Sequence, residues 1–152
     1  MMRKFFLRDR LGTKGTAAIE LALLAPMLAS LATGGWDFGN ALLQQERLAS
    51  AARAGAQFAV ASFANSTNYA GMIQAARSDA GDTTNSLTVT AQTVCKCPTG
   101  GTISCSGGTC AGNAAAYSYA QVVVSEPYTM SVSYPGIGSS LQLSRQAMLR
   151  LH

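Results

Sequence analysis

Hydrophobic and polar positions divide this chain into two halves with different periods. From Thr16 to Gly35 there are twenty residues whose only charge is Glu20. A helix of that length covers about 30 Å, the hydrocarbon thickness of a bilayer. Pro26 predicts a kink inside it, and Gly34-Gly35 a second weak point before Trp36, an aromatic suited to the water interface. Beyond Trp36 the helical period continues but becomes amphipathic. Phe38, Leu42, Ala49, Ala52, Ala56, Ala59 and Phe63 recur on one face, with Gln44, Gln45, Glu46, Arg53 and Gln57 largely elsewhere. Asn65-Ser66-Thr67-Asn68 reads as the stop.

Tyr69 to Ala80, with Met72, Ile73, Ala76 and Ala80 on one side and Gly81 following, predicts a short second helix with a glycine cap. The period then changes to two. Leu87, Val89 and Ala91 alternate with polar residues, and Cys95 and Cys97 continue their face. Val122-Val123-Val124 reads as a buried strand, which Glu126-Pro127 interrupts. Tyr128 to Tyr134 alternates as a further strand, Pro135 to Gly138 is a turn, and Leu141 to Leu151 alternates again, with Arg145 breaking its apolar face. The expectation is an α+β fold: a long N-terminal helix whose amphipathic half packs on three or four mostly antiparallel strands. The divisions fall at 1–15, 16–36, 37–64 and 65–152.

Charge gives the chain a direction. Arg3, Lys4, Arg8, Arg10 and Lys14 outnumber Asp9 before the apolar run, so the net charge of +4 sits there, and the other six basic and six acidic residues cancel. No basic stripe is left for nucleic acid. A basic flank stays cytoplasmic, which puts the C-terminal head outside.

Four cysteines in an exported head point to disulfides. Side chains at i and i+2 of a strand diverge, so Cys95 and Cys97 do not pair with each other and each joins Cys105 or Cys110, with the choice open. A tetrathiolate zinc site is the competing reading. No catalytic constellation forms: the sole histidine is His152, and Asp37, Glu46, Asp79, Asp82 and Glu126 are scattered. Neither an enzyme nor a cofactor is expected.

Glu20 is costly in an apolar segment unless it has a partner. A cut between Gly15 and Thr16 creates an α-amino group that a neighbouring parallel helix, shifted along its axis, can bring to Glu20. The charged leader, Gly15, Glu20 and the apolar run resemble the processing signal of type IV prepilins. The longer match, from Gly15-Thr16-Ala17-Ala18-Ile19-Glu20 through Ala51-Ala52-Arg53-Ala54-Gly55-Ala56-Gln57-Phe58-Ala59, resembles the TadE-like pseudopilins of tight-adherence (Flp) pilus systems. That resemblance implies a minor pseudopilin cut after Gly15 by a prepilin peptidase and held in the bacterial inner membrane. Its periplasmic head and a helix bearing Glu20, Pro26, Phe38, Leu42 and Arg53 would serve packing against other pilin subunits. The alternatives are a secreted binding or adhesion protein, cut after Ser30-Leu31-Ala32, and an uncut anchored protein that joins no filament.

Overall fold

The computed structural model describes residues 14–132, 136 and 138–151. The basic leader to residue 13, Tyr134, the turn residues Pro135 and Ile137, and His152 lie outside the described residues. Helix α1, Lys14–Val60, runs as one element through Pro26 and the Gly34-Gly35 pair. A 3-10 turn, Phe63–Thr67, leads into α2, Tyr69–Ala80. The Asn68 side chain accepts a hydrogen bond from the Gly71 amide at the start of α2. At its end Gly81 adopts φ +66°, the left-handed cap that glycine reaches without steric cost.

Among the described residues four strands follow: β1 Thr88–Lys96, β2 Thr102–Ile103, β3 Tyr117–Thr129 and β4 Ser140–Arg150. They form one sheet in the order β2-β1-β3-β4 with every pairing antiparallel. The α+β expectation holds. The two-residue β2, which pairs Ile103 with Cys95, went unread inside the glycine-rich loop.

Three details differ from the sequence reading. First, β3 is continuous: Glu126 and Pro127 pair with Leu143 and Gln142 of β4, so Tyr128 and Thr129 belong to β3 and do not open a separate strand. The β1 ladder ends at Ser125, so Pro127 sits where β3 has one neighbour, and a missing amide donor is tolerated there. Second, Val123 is only half-buried, whereas Val122 and Val124 are fully buried, so this triplet alternates between two faces. Third, the head-facing stripe of α1 is rotated. It consists of Asp37, Ala41, Leu48, Ala51, Ala52, Gly55, Ala56 and Ala59, while Phe38, Leu42 and Phe63 are exposed. The stripe widens toward the end of α1 because α2 covers a second flank there, burying Ala56 at a helical angle where Phe38 meets no cover.

One face of the sheet lies on α1. Val89, Ala120, Val122, Val124 and Leu143 meet Leu48 and the alanines of α1, with Met72 and Ala76 from α2 closing the side. Each fully buried Leu, Val or Met side chain contributes about 1.5–3 kcal/mol. Small residues on α1 set the spacing. A Cβ on Gly55 would lie 2.8 Å from the Met72 carbonyl oxygen, 3.1 Å from Val122 Cγ1 and 3.2 Å from Ala76 Cβ. Only glycine lets the three elements approach so closely.

Candidate functional site

Two regions carry features beyond packing: the apolar half of α1 and the junction where it enters the head. From residue 15 to residue 33 every position of α1 is exposed, including Ile19, Leu21, Leu23, Leu24, Met27, Leu28 and Leu31. Leucines surround the helix, so no side is reserved for the head. α1 is long and apolar enough to cross a membrane. Its hydroxyls turn inward on the backbone: Ser30 Oγ donates to the Met27 carbonyl at 2.8 Å and Thr33 Oγ1 to the Ala29 carbonyl at 3.1 Å. That pattern satisfies polar side chains without water.

The sequence-derived processing residues lie at the beginning of this half. Gly15 and Thr16 are in the first turn of α1, and Glu20 is exposed one turn further on. Pro26 is exposed in the helix interior. Phe38, Leu42 and Arg53 are all exposed on α1, outside its buried stripe. About five helical turns separate Glu20 from Phe38, which returns the two to the same helical angle. Glu20, Phe38, Leu42 and Arg53 therefore fall within one exposed arc of α1, bordering the buried stripe.

The junction centres on Asp37, a residue the sequence offered only as one scattered acid. It is 3 % exposed, the buried charged residue among those described. The carboxylate accepts from the Ser131 amide at 3.2 Å and from the Val132 amide at 3.4 Å. The Asp37 carbonyl accepts from the Tyr128 hydroxyl at 3.0 Å. Side chain and backbone of one helical residue thus hold the end of β3 and the start of the β3–β4 connection. Beside this latch, Gly34, Phe38, Ala41, Met130 and Leu141 line an apolar groove of about 250 Å³. Nothing in the local pattern around Asp37 distinguishes a latch from a solvated acid, because its partners lie more than ninety positions along the chain.

Further along α1, polar contacts replace the latch. Arg47 meets Glu126 of β3 at 2.7 Å. Arg145 of β4 donates to the Gln45 side chain, so the residue that broke the apolar alternation of β4 faces α1 and finds an acceptor there. An exposed pair such as Arg47–Glu126 is worth at most about 1 kcal/mol and serves to orient the sheet.

The cysteines lie at the opposite end of the head. Cys95 bonds Cys105 and Cys97 bonds Cys110, settling the pairing the spacing left open. The bridges start from Cys95 in β1 and Cys97 just beyond its end, and they tie the glycine-rich loop to the sheet. Closing loops of ten and thirteen residues stabilises each by about 3 kcal/mol in the chain-entropy model. In the loop between α2 and β1, Asp82 accepts from the Ser86 amide at 2.9 Å, the Ser86 hydroxyl at 3.1 Å and the Leu87 amide at 3.0 Å. Partial desolvation raises its pKa, but those donors and the nearby Arg77 outweigh it, and the carboxyl titrates below its ordinary 3.8.

Comparison with known proteins bears on the helix. Residues 15–57 match the family model described as TadE-like protein. The match begins at Gly15, spans the apolar half, the Asp37 junction and most of the head-facing stripe, and ends before α2. No curated protein and no solved structure matches the chain.

Proposed function

We propose that this TadE-related chain is a minor pseudopilin that acts in assembly of a tight-adherence type IV pilus. A prepilin peptidase cuts after Gly15, leaving Thr16 as the first mature residue. The subunit waits in the inner membrane with its head in the periplasm. It then packs through α1 against other pilin or pseudopilin subunits, and it performs no catalysis of its own.

The observation that carries this reading is the two-part helix itself. The family match covers a segment that is apolar and uncovered in its first half and committed to the head in its second. A neighbour's helix can therefore reach the first half, and the outward face of the second, without displacing the sheet. Glu20 lies on that reachable side together with Phe38, Leu42 and Arg53. Its carboxylate accepts the new α-amino group of an adjacent subunit, which neutralises both charges in a medium of low dielectric and fixes the axial offset between helices. The basic leader keeps the N-terminus cytoplasmic.

The test is Glu20→Ala in the native host, with membrane insertion and surface pili scored separately. Insertion is expected to persist while pilus formation falls steeply. Normal piliation by this variant would contradict the pairing of Glu20 with a neighbour's amine.

A further inference from the structure

The length of the apolar half and the position of Asp37 together leave no spacer between membrane and head. Taking Thr16 to Trp36 as the span, the helix uses about 30 Å, the whole hydrocarbon core. Asp37 follows at once, and the headgroup zone beyond the core is only about 5–7 Å deep on each side. The Asp37 carboxylate holds the Ser131 and Val132 amides at 3.2 and 3.4 Å, which brings that part of the head to the depth of residue 37. Strand β3 runs antiparallel to α1, from Ser118 near Ala59 down to Tyr128 at Asp37, so its end points at the bilayer.

This end of the head is apolar where it is exposed. Trp36 is 71 %, Phe38 68 %, Val132 41 % and Leu141 41 % exposed. The groove between Phe38, Met130 and Leu141 opens among them and continues the uncovered apolar surface of α1. In water such a cluster has no favourable partner. At the edge of a bilayer its burial is favourable, in proportion to the area covered.

We propose that the membrane-facing end of the β3–β4 pair, through Val132 just after β3 and Leu141 at the start of β4, is a second membrane contact that seats the head on the phospholipid interface. It rests on the membrane-spanning reading of α1, and adds to it that the head is docked and does not swing on a free stalk. The Asp37 latch makes the docking rigid, because Val132 is bonded to the helix at the point where it leaves the hydrocarbon, and Leu141 pairs with Tyr128, which is bonded there too. The partner is the lipid surface itself.

The single tryptophan gives a direct test. The full chain in phosphatidylcholine nanodiscs is compared with three variants in a Trp36→Phe background: Val132→Trp, Leu141→Trp and Thr102→Trp. Emission is quenched by lipids brominated near the headgroups and, separately, by aqueous acrylamide. Trp36 and the probes at positions 132 and 141 are expected to be quenched by bromolipid to within about twofold of one another. The probe at position 102, on the disulfide-bonded end, should respond to acrylamide alone. If Trp36 is quenched by lipid while both hairpin probes behave like position 102, docking is wrong and the membrane span stands. Hairpin probes shielded from both quenchers would mean that protein covers this surface, which also overturns the proposal. An unquenched Trp36 would remove the span and the docking together. Two probe positions guard against one substitution disturbing the fold.

Discussion

The two halves of α1 have the same secondary structure and opposite relations to the rest of the molecule. Residues 15–33 are exposed on every side and carry leucine, isoleucine and methionine all round. Residues 37–60 bury one stripe built mostly of alanine, with Gly55 at its tightest point and Leu48 as its largest side chain. Bulk on all sides suits a helix whose surroundings are fluid. Small residues on one side suit a helix that a sheet and a second helix must approach closely. What separates the halves is therefore side-chain size and its distribution, and Asp37 marks the boundary by tying the first turn of the second half to β3.

This comparison can be broken at matched sites. Leu48 is fully buried and Leu28 is exposed in the apolar half. Leu48→Ala should lower the free energy of unfolding of the head by about 2–5 kcal/mol, through lost burial and the cavity left behind. Leu28→Ala should leave it unchanged. Urea titration in detergent micelles, followed by near-ultraviolet circular dichroism, reads both, and similar losses would mean that the halves do not differ as described. A matched glycine pair comes next. Gly55→Ala forces a methyl group against the Met72 carbonyl and Val122, costing about 1–3 kcal/mol. At Gly35 an added Cβ meets nothing within 4 Å, so Gly35→Ala should be neutral or slightly stabilising.

Much of this architecture was legible in the sequence where the signal is local. The second helix, its Gly81 cap and the alternation from Leu87 depend on neighbours a few residues apart, and each emerges as read. The amphipathic half of α1 was legible as amphipathic, but its buried angle was not. Periodicity locates a stripe of small and apolar residues, whereas α2 and the end of β3 decide which edge of it is covered. Pro127 was misread for a related reason: a proline breaks a strand only where its amide is needed, and that depends on where β1 stops. Cysteine spacing and strand parity limited the bridges to two pairings, and the three-dimensional path of the loop chose Cys95–Cys105 with Cys97–Cys110. Asp37 and Gly55 gave no separate signal, because their importance comes from residues distant in the chain.

The smallest expected effect sharpens the picture at the α2–β1 connection. The Asp82 carboxyl is held below its ordinary pKa in the folded chain, so its stabilising contribution is fully present above the unfolded value and is lost as pH falls through the folded one. Asp82→Asn should flatten the acid limb of head stability below about pH 4. It should leave the apolar half of α1 unaffected. An unchanged acid limb would show that the Ser86 and Leu87 donors do not favour the ionised form.

The central claim is that the exposed half of α1 is a pilin-type segment processed after Gly15. Intact mass and N-terminal sequence of the protein from its native membranes test it most directly. The account predicts a mature chain beginning at Thr16. A chain beginning at Thr33, or one retaining the basic leader, would contradict it.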